Sequence, residues 1–211
     1  VRKTLFTEAQ RRELQERSFR VPVYSSLVYL SRSKHRGVDP DCDDIQDLIQ
    51  DVKDGDKRSI EKAASELAKH PGLRGFKGWV AATPRSTADR PSNMVLAKSL
   101  VRKGVGVKAV DMVKRIKSIE SSRMRRRKGG VQAGTTLDQH LASMGFVGET
   151  AKEGVLIVDD IFTTGATMKA AALTMRRAGY KGPIFAAALG YYQPSSNKAD
   201  TCPTKHRTFY V

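Results

Sequence analysis

The stretch Val155-Leu-Ile-Val-Asp-Asp-Ile-Phe-Thr-Thr-Gly-Ala-Thr167 constrains this chain more than any other. Its four leading apolar residues predict a buried strand, and two aspartates follow at the carboxyl end, where open α/β sheets hold their ligands. The loop Thr163–Thr167 then opens a helix predicted over 166–178. Backbone N–H groups at a helix start are unpaired and carry partial positive charge, so they attract phosphate. Gly165 permits close backbone approach, and the hydroxyls of Thr163, Thr164 and Thr167 add donors. The other reading is a plain strand–turn–helix in which Asp160 or Thr163 serves only as a cap. Apolar run, double acid and small hydroxyl-rich loop coincide in one string, which favours a site for a sugar phosphate whose hydroxyls meet Asp159 and Asp160.

The rest of the chain supplies a setting for that segment. Thr7 with Gln10 three positions on suits a helix over 7–17, and Val21–Leu30 is β-branched and aromatic enough for a strand. Ile45, Leu48, Ile49 and Val52 share one helical face, and Ser59–His70 predicts a further helix before Pro71-Gly72. From there strands and helices alternate. Strands are predicted over Phe76–Thr83, Val107–Ile116, Gly154–Phe162 and Pro183–Gly190. Helices are predicted over Pro91–Lys103, Thr135–Met144 and Ala166–Ala178. Continuous apolar strands separated by helices argue for an α/β protein with a mainly parallel twisted sheet flanked by helices. The economical division is an N-terminal elaboration over 1–70, a core over 71–192 and a polar tail over 193–211, to which no element is assigned.

Composition narrows the class of partner. Hydrophobic residues make up 39% and charged residues 28% of 211 positions, which fits a globular chain with one substantial core. The apolar stretches are strand-length, so no membrane span is expected. The start Val1-Arg-Lys lacks an apolar signal core, and Cys42 and Cys202 form no disulfide framework, so a cytoplasmic location is expected. A net charge of +16 calls for an anionic partner: nucleic acid, an acidic surface or a polyanionic small molecule. The basic residues concentrate over 102–128 and culminate in Arg123-Met-Arg-Arg-Arg-Lys128, whereas 39–56 is acidic. Cys202-x-x-x-His206 has ligand-like spacing, but His35 and Cys42 are badly spaced for a compact zinc knuckle, and no metal ligands are assigned. His70 and His140 read as helix-surface or cap residues.

Residues 155–167 resemble the 5-phosphoribosyl-1-pyrophosphate signature of the type I phosphoribosyltransferases, with Phe162 where a smaller aliphatic residue is more usual. Trp79-Val-Ala-Ala-Thr-Pro-Arg-Ser86 resembles that family's first sheet strand and pyrophosphate loop. Arg90-Pro-Ser-Asn93 with Leu96-Ala97, Tyr24–Tyr29 and Leu48–Gly55 resemble its ComF-like branch, without the cysteine-rich zinc module that often precedes it.

The resemblance implies a type I phosphoribosyltransferase fold with the N-terminal region as a hood. It implies displacement of pyrophosphate from ribose C1 by a nucleobase-type acceptor, with Mg²⁺ carried by ligand and water. Asp159 and Asp160 would hold the ribose hydroxyls, and Thr163, Thr164, Gly165, Ala166 and Thr167 the 5′-phosphate. Thr83, Arg85 and Ser86 would face pyrophosphate. The basic segment from Lys117 to Gly134 sits where the family has a loop that closes over pyrophosphate, which puts Arg115, Lys117 and Arg123 forward as clamps. Tyr191 and Tyr192 are candidates for stacking on a base or for ordinary packing. A second function stays open: a non-catalytic, ligand-sensing protein of DNA uptake or processing that binds nucleic acid through 115–128. Homo-oligomerisation is likewise left open.

Overall fold

The computed structural model describes residues 19–29, 40–85, 93–119, 136–149, 153–192 and 207–211. Its elements run β1 (Pro22–Tyr29), α1 (Pro40–Asp54), α2 (Lys57–Ala68), a 3-10 turn (Pro71–Leu73), β2 (Trp79–Ala82), α3 (Met94–Arg102), β3 (Lys108–Val110) and β4 (Val113–Arg115). They continue as α4 (Leu137–Ala142), β5 (Met144–Phe146), β6 (Val155–Phe162), α5 (Ala166–Arg177), β7 (Ile184–Tyr192) and β8 (Arg207–Tyr210).

Six strands form one sheet in the order β3-β2-β6-β7-β1-β8. The first five are mutually parallel, and β8 closes the edge antiparallel to β1. The chain is therefore an α/β protein with a mostly parallel central sheet, as the alternation of apolar strands and helices leads one to expect. Central position accounts for the composition of β6. Val155, Leu156, Ile157 and Val158 are all buried because the strand has a neighbour on each side and helices over both faces.

Alternate residues of β6 feed two cores. Val155 and Ile157 pack with Met168, Ala171 and Met175 of α5. Leu156 and Val158 pack with Leu48 and Ile49 of α1, Leu67 of α2, and Leu96 and Leu100 of α3. Each large side chain buried this fully stabilises the fold by about 1.5–3 kcal/mol. The helices end where their chemistry dictates. Asp56 accepts from Ser59 N to start α2. Thr136 and Gln139 form a reciprocal capping box on α4.

Three expectations change. The strand expected over 107–116 is two strands in different sheets, because Asp111 and Met112 interrupt it. β4 pairs antiparallel with β5, a strand the sequence pattern does not reveal. The tail contributes β8. The helix expected over 7–17 lies outside the described residues. No helix among the described residues is long and apolar enough to cross a membrane.

Candidate functional site

Parallel strands bring their carboxyl ends to one edge of the sheet, and the site residues of β2 and β6 meet there. Ala82 pairs with Val158, so the residues that follow each, Thr83 and Asp159, emerge side by side. Thr83 is buried; its N–H donates to Val158 O at 3.0 Å and its hydroxyl to the same oxygen at 2.9 Å. Asn93, the residue before α3, is also buried. Its side-chain Nδ2 donates to Thr83 Oγ1 at 2.9 Å and to Asp159 Oδ1 at 2.7 Å. Asp160 N donates to the same Asp159 oxygen at 2.9 Å. Asp160 Oδ1 in turn accepts from Ile161 N at 2.7 Å.

This crowding of two carboxylates has an electrostatic consequence. Burial, and then the charge of Asp160, raise the Asp159 carboxyl well above the ordinary range; the Asp160 N–H partly opposes the rise. Such a carboxyl gains from any ligand that brings hydroxyl donors or positive charge to it.

After β6 the chain passes exposed Thr163 and Thr164 and turns at Gly165, whose φ of 74° is left-handed. Thr164 Oγ1 accepts from Ala166 N at 3.4 Å. Gly165 itself offers no side-chain cap, so apart from Ala166 N the first turn of α5 keeps donors for an anion. Ala166 and Thr167 are half-buried in that turn. Phe162, the unusual residue of the segment, has a packing role: its ring stacks on Phe209 of β8 with centroids 5.2 Å apart.

The basic residues divide. Arg115 on β4 is buried, and its Nε donates to the Arg85 carbonyl at 3.1 Å. Its two terminal nitrogens donate to Ser143 Oγ and, at 3.2 Å, to His140 Nδ1. Burial lowers the guanidinium to about 10, with Asp159 pulling the other way, so it stays charged at neutral pH. His140, expected at a helix surface or cap, is instead buried, and burial and then the Arg115 charge lower it to about 4. Its neutral Nδ1 is thus an acceptor for Arg115. Arg85 donates through Nη1 to Lys53 O at the end of α1, 2.6 Å away, while its buried Nε has no partner among the described residues. Lys117 is exposed just beyond β4. Ser86 and Arg123 lie outside the described residues, as do Arg125–Lys128.

Among the other candidates, Tyr191 is buried against Phe209, with ring centroids 4.8 Å apart, and Tyr192 is half-buried. His70 is a buried cap whose Nδ1 accepts from Gly72 N at 3.0 Å. Among the described residues no cluster of three or more histidine, cysteine or carboxylate side chains could cage a metal. The Asp159–Asp160 pair does suit a magnesium ion that arrives already held by phosphate oxygens, since that ion is commonly shared between one or two carboxylates and a polyphosphate.

Neither a protein-family model nor a curated protein matches the chain. Solved structures with a distant likeness include a hypoxanthine phosphoribosyltransferase from Staphylococcus aureus, at 18% identity and a TM-score of 0.40, covering 69% of each chain. An adenine phosphoribosyltransferase from Thermoanaerobacter pseudethanolicus aligns at 18% identity and a TM-score of 0.39, over 64% of this chain and 82% of its own. A hypoxanthine-guanine phosphoribosyltransferase from Bacillus anthracis aligns at 15% identity and a TM-score of 0.34, over 74% and 73%.

Proposed function

We propose that this chain binds 5-phosphoribosyl-1-pyrophosphate at the carboxyl ends of β2 and β6 and transfers its phosphoribosyl group to a nucleobase-type acceptor. The observation that carries the reading is the succession on one strand end of Asp159, Asp160 and a helix start at a left-handed glycine that offers no side-chain cap of its own. Ribose hydroxyls donate to the two carboxylates, and the 5′-phosphate accepts from the loop 163–167. Pyrophosphate lies toward Arg85, with Ser86, Arg115, Lys117 and Arg123 assigned to it by the sequence resemblance. Because Thr83 spends both its N–H and its hydroxyl on Val158 O, its part is to fix the start of the pyrophosphate loop rather than to donate to pyrophosphate.

In the transfer, an acceptor nitrogen forms the new bond to ribose C1 as the bond from C1 to the pyrophosphate oxygen breaks. The electron pair leaves with pyrophosphate, and the acceptor's N–H proton passes to solvent. Positive charge develops on the ribose, near Asp159 and Asp160, and negative charge on the leaving group, so the protein's task is positioning and charge stabilisation. Magnesium would supply charge neutralisation of the pyrophosphate, held largely by the ligand and water, and Asp159 and Asp160 are the residues that would help to hold it.

The test is pyrophosphate release from 5-phosphoribosyl-1-pyrophosphate with magnesium and a panel of free bases. Release with one base and not the others supports transfer; binding that needs Asp160 without turnover on any base sinks it. The charge of +16 favours a second, ligand-sensing and nucleic-acid-binding reading of the ComF-like kind. Salt-dependent DNA binding that survives Asp160→Asn but fails when Arg125, Arg126 and Arg127 are neutralised would establish it.

A further inference from the structure

We propose that Asn93 is the positioning residue of the acid pair: it pins one oxygen of Asp159 and leaves the other for the ligand. This rests on reading Asp159 as a ligand-facing carboxylate. Asparagine just before a helix ordinarily caps it, with the side-chain oxygen accepting from the first turn. Asn93 does not: its φ and ψ of −66° and 25° are not the extended cap conformation, and its side chain makes no cap hydrogen bond to α3. Both amide hydrogens are spent elsewhere, on Thr83 Oγ1 at 2.9 Å and Asp159 Oδ1 at 2.7 Å.

The geometry is that of a locked network. The Thr83 hydroxyl is turned toward Val158 O, so its lone pairs face the Asn93 amide. That fixes the amide plane and aims the second N–H at Asp159. Asp160 N reaches the same Oδ1, so two donors converge on one carboxylate oxygen. Both of these bonds go to Oδ1, which puts Oδ2 forward as the oxygen offered to a ligand. Asn93 is only 5% exposed, so the bond to the carboxylate is shielded from water. A neutral donor here favours the charged carboxylate against the burial and like charge that disfavour it.

The experiment observes the Asn93 side-chain amide by NMR, assigned from Asn93→Ala, in wild type and in Asp159→Ala. One amide proton is expected to lie downfield and to exchange slowly in wild type, and to lose both marks in Asp159→Ala. Calorimetry with magnesium and 5-phosphoribosyl-1-pyrophosphate then compares wild type with Asn93→Ala and Asn93→Ser; serine starts a helix well but is too short to reach Asp159. Both variants are expected to bind about tenfold more weakly. An amide that Asp159→Ala leaves unmoved, or wild-type affinity in a folded Asn93 variant, overturns the proposal. If wild type binds no 5-phosphoribosyl-1-pyrophosphate but the amide responds to Asp159→Ala, the ligand reading fails and the hold of Asn93 on Asp159 stands.

Discussion

Arg115 Nε donates to the backbone carbonyl of Arg85 across 3.1 Å, tying the β4–β5 ribbon to the loop that leaves β2. The same guanidinium reaches Ser143 and His140, so one buried side chain joins three segments around the site. Its orientation depends on a planar fork that lysine lacks.

Arg115→Ala therefore leaves the Arg85 carbonyl, Ser143 and His140 short of a donor. The expected loss is about 3 kcal/mol of stability. Arg115→Lys is expected to recover less than half of it. Urea denaturation of the two variants checks this; full recovery by lysine would show that charge alone matters.

Acid dependence follows from His140 and Asp159, which act in opposite directions. His140 stays neutral down to about 4 in the fold, while the unfolded ring protonates near its ordinary value of about 6.5. Its stabilisation is full above about 6.5 and is lost as pH falls toward 4, because the unfolded chain there binds the extra proton. The Asp159 carboxyl is raised, so its contribution is full below the unfolded value of about 3.9 and is lost as pH rises through the folded one. The two slopes oppose each other between 4 and 6.5. Asp159→Asn removes one of them, and that variant is expected to lose on the order of 3 kcal/mol from pH 6.5 to 4, measured against Asp159→Asn/His140→Gln. A level difference between the two variants would mean that His140 titrates normally.

Gly165 and Gly179 are both left-handed, with φ of 74° and 91°, but their surroundings differ. A Cβ at Gly179 meets nothing within 4 Å, whereas one at Gly165 falls 2.1 Å from Val211 Cγ1 and 2.7 Å from Phe162 Cε2. Gly179→Ala should cost about 1–2 kcal/mol, the backbone term alone. Gly165→Ala should cost more, with a Tm several degrees below that of Gly179→Ala. Thermal unfolding of the pair isolates the steric part.

Asp160→Asn keeps the acceptor for Ile161 N and so preserves the fold. It removes the charge that a ribose hydroxyl and magnesium would meet. Affinity for 5-phosphoribosyl-1-pyrophosphate is expected to fall about 10- to 100-fold with Tm nearly unchanged. Calorimetry beside thermal unfolding reads both.

What could be read in advance follows from how local each signal is. β6, its acid pair and the opening of α5 are contiguous, and burial on both sides leaves an unbroken apolar run in the sequence. β3 and β4 read as one strand because Met112, at the break, is as buried as a strand residue. β5 is three residues long and pairs with a distant strand, so no periodicity marks it. β8 reads as a polar tail because its identity lies in pairing with β1. Asn93 sits where asparagine normally caps a helix, and only the coordinates show its amide turned to Asp159 instead. His140 is buried rather than at a helix surface for a similar reason: its polar partners, Arg115 and Ser143, lie outside α4.

The place of β1 between β7 and β8 bears on how the chain is made. β1 is synthesised before the other described strands of the main sheet, yet Val23 pairs with Ala186 and Phe209, so both its edges wait for β7 and β8. Until then β1 exposes a row of unpaired backbone groups with Val23 and Leu27 among them, which is a template for pairing with other chains. Closure of the sheet is consequently a late, long-range event, and slow compared with forming the helices. During synthesis the segment 22–29 is thus the stretch of the described sheet left longest without a neighbour on either side.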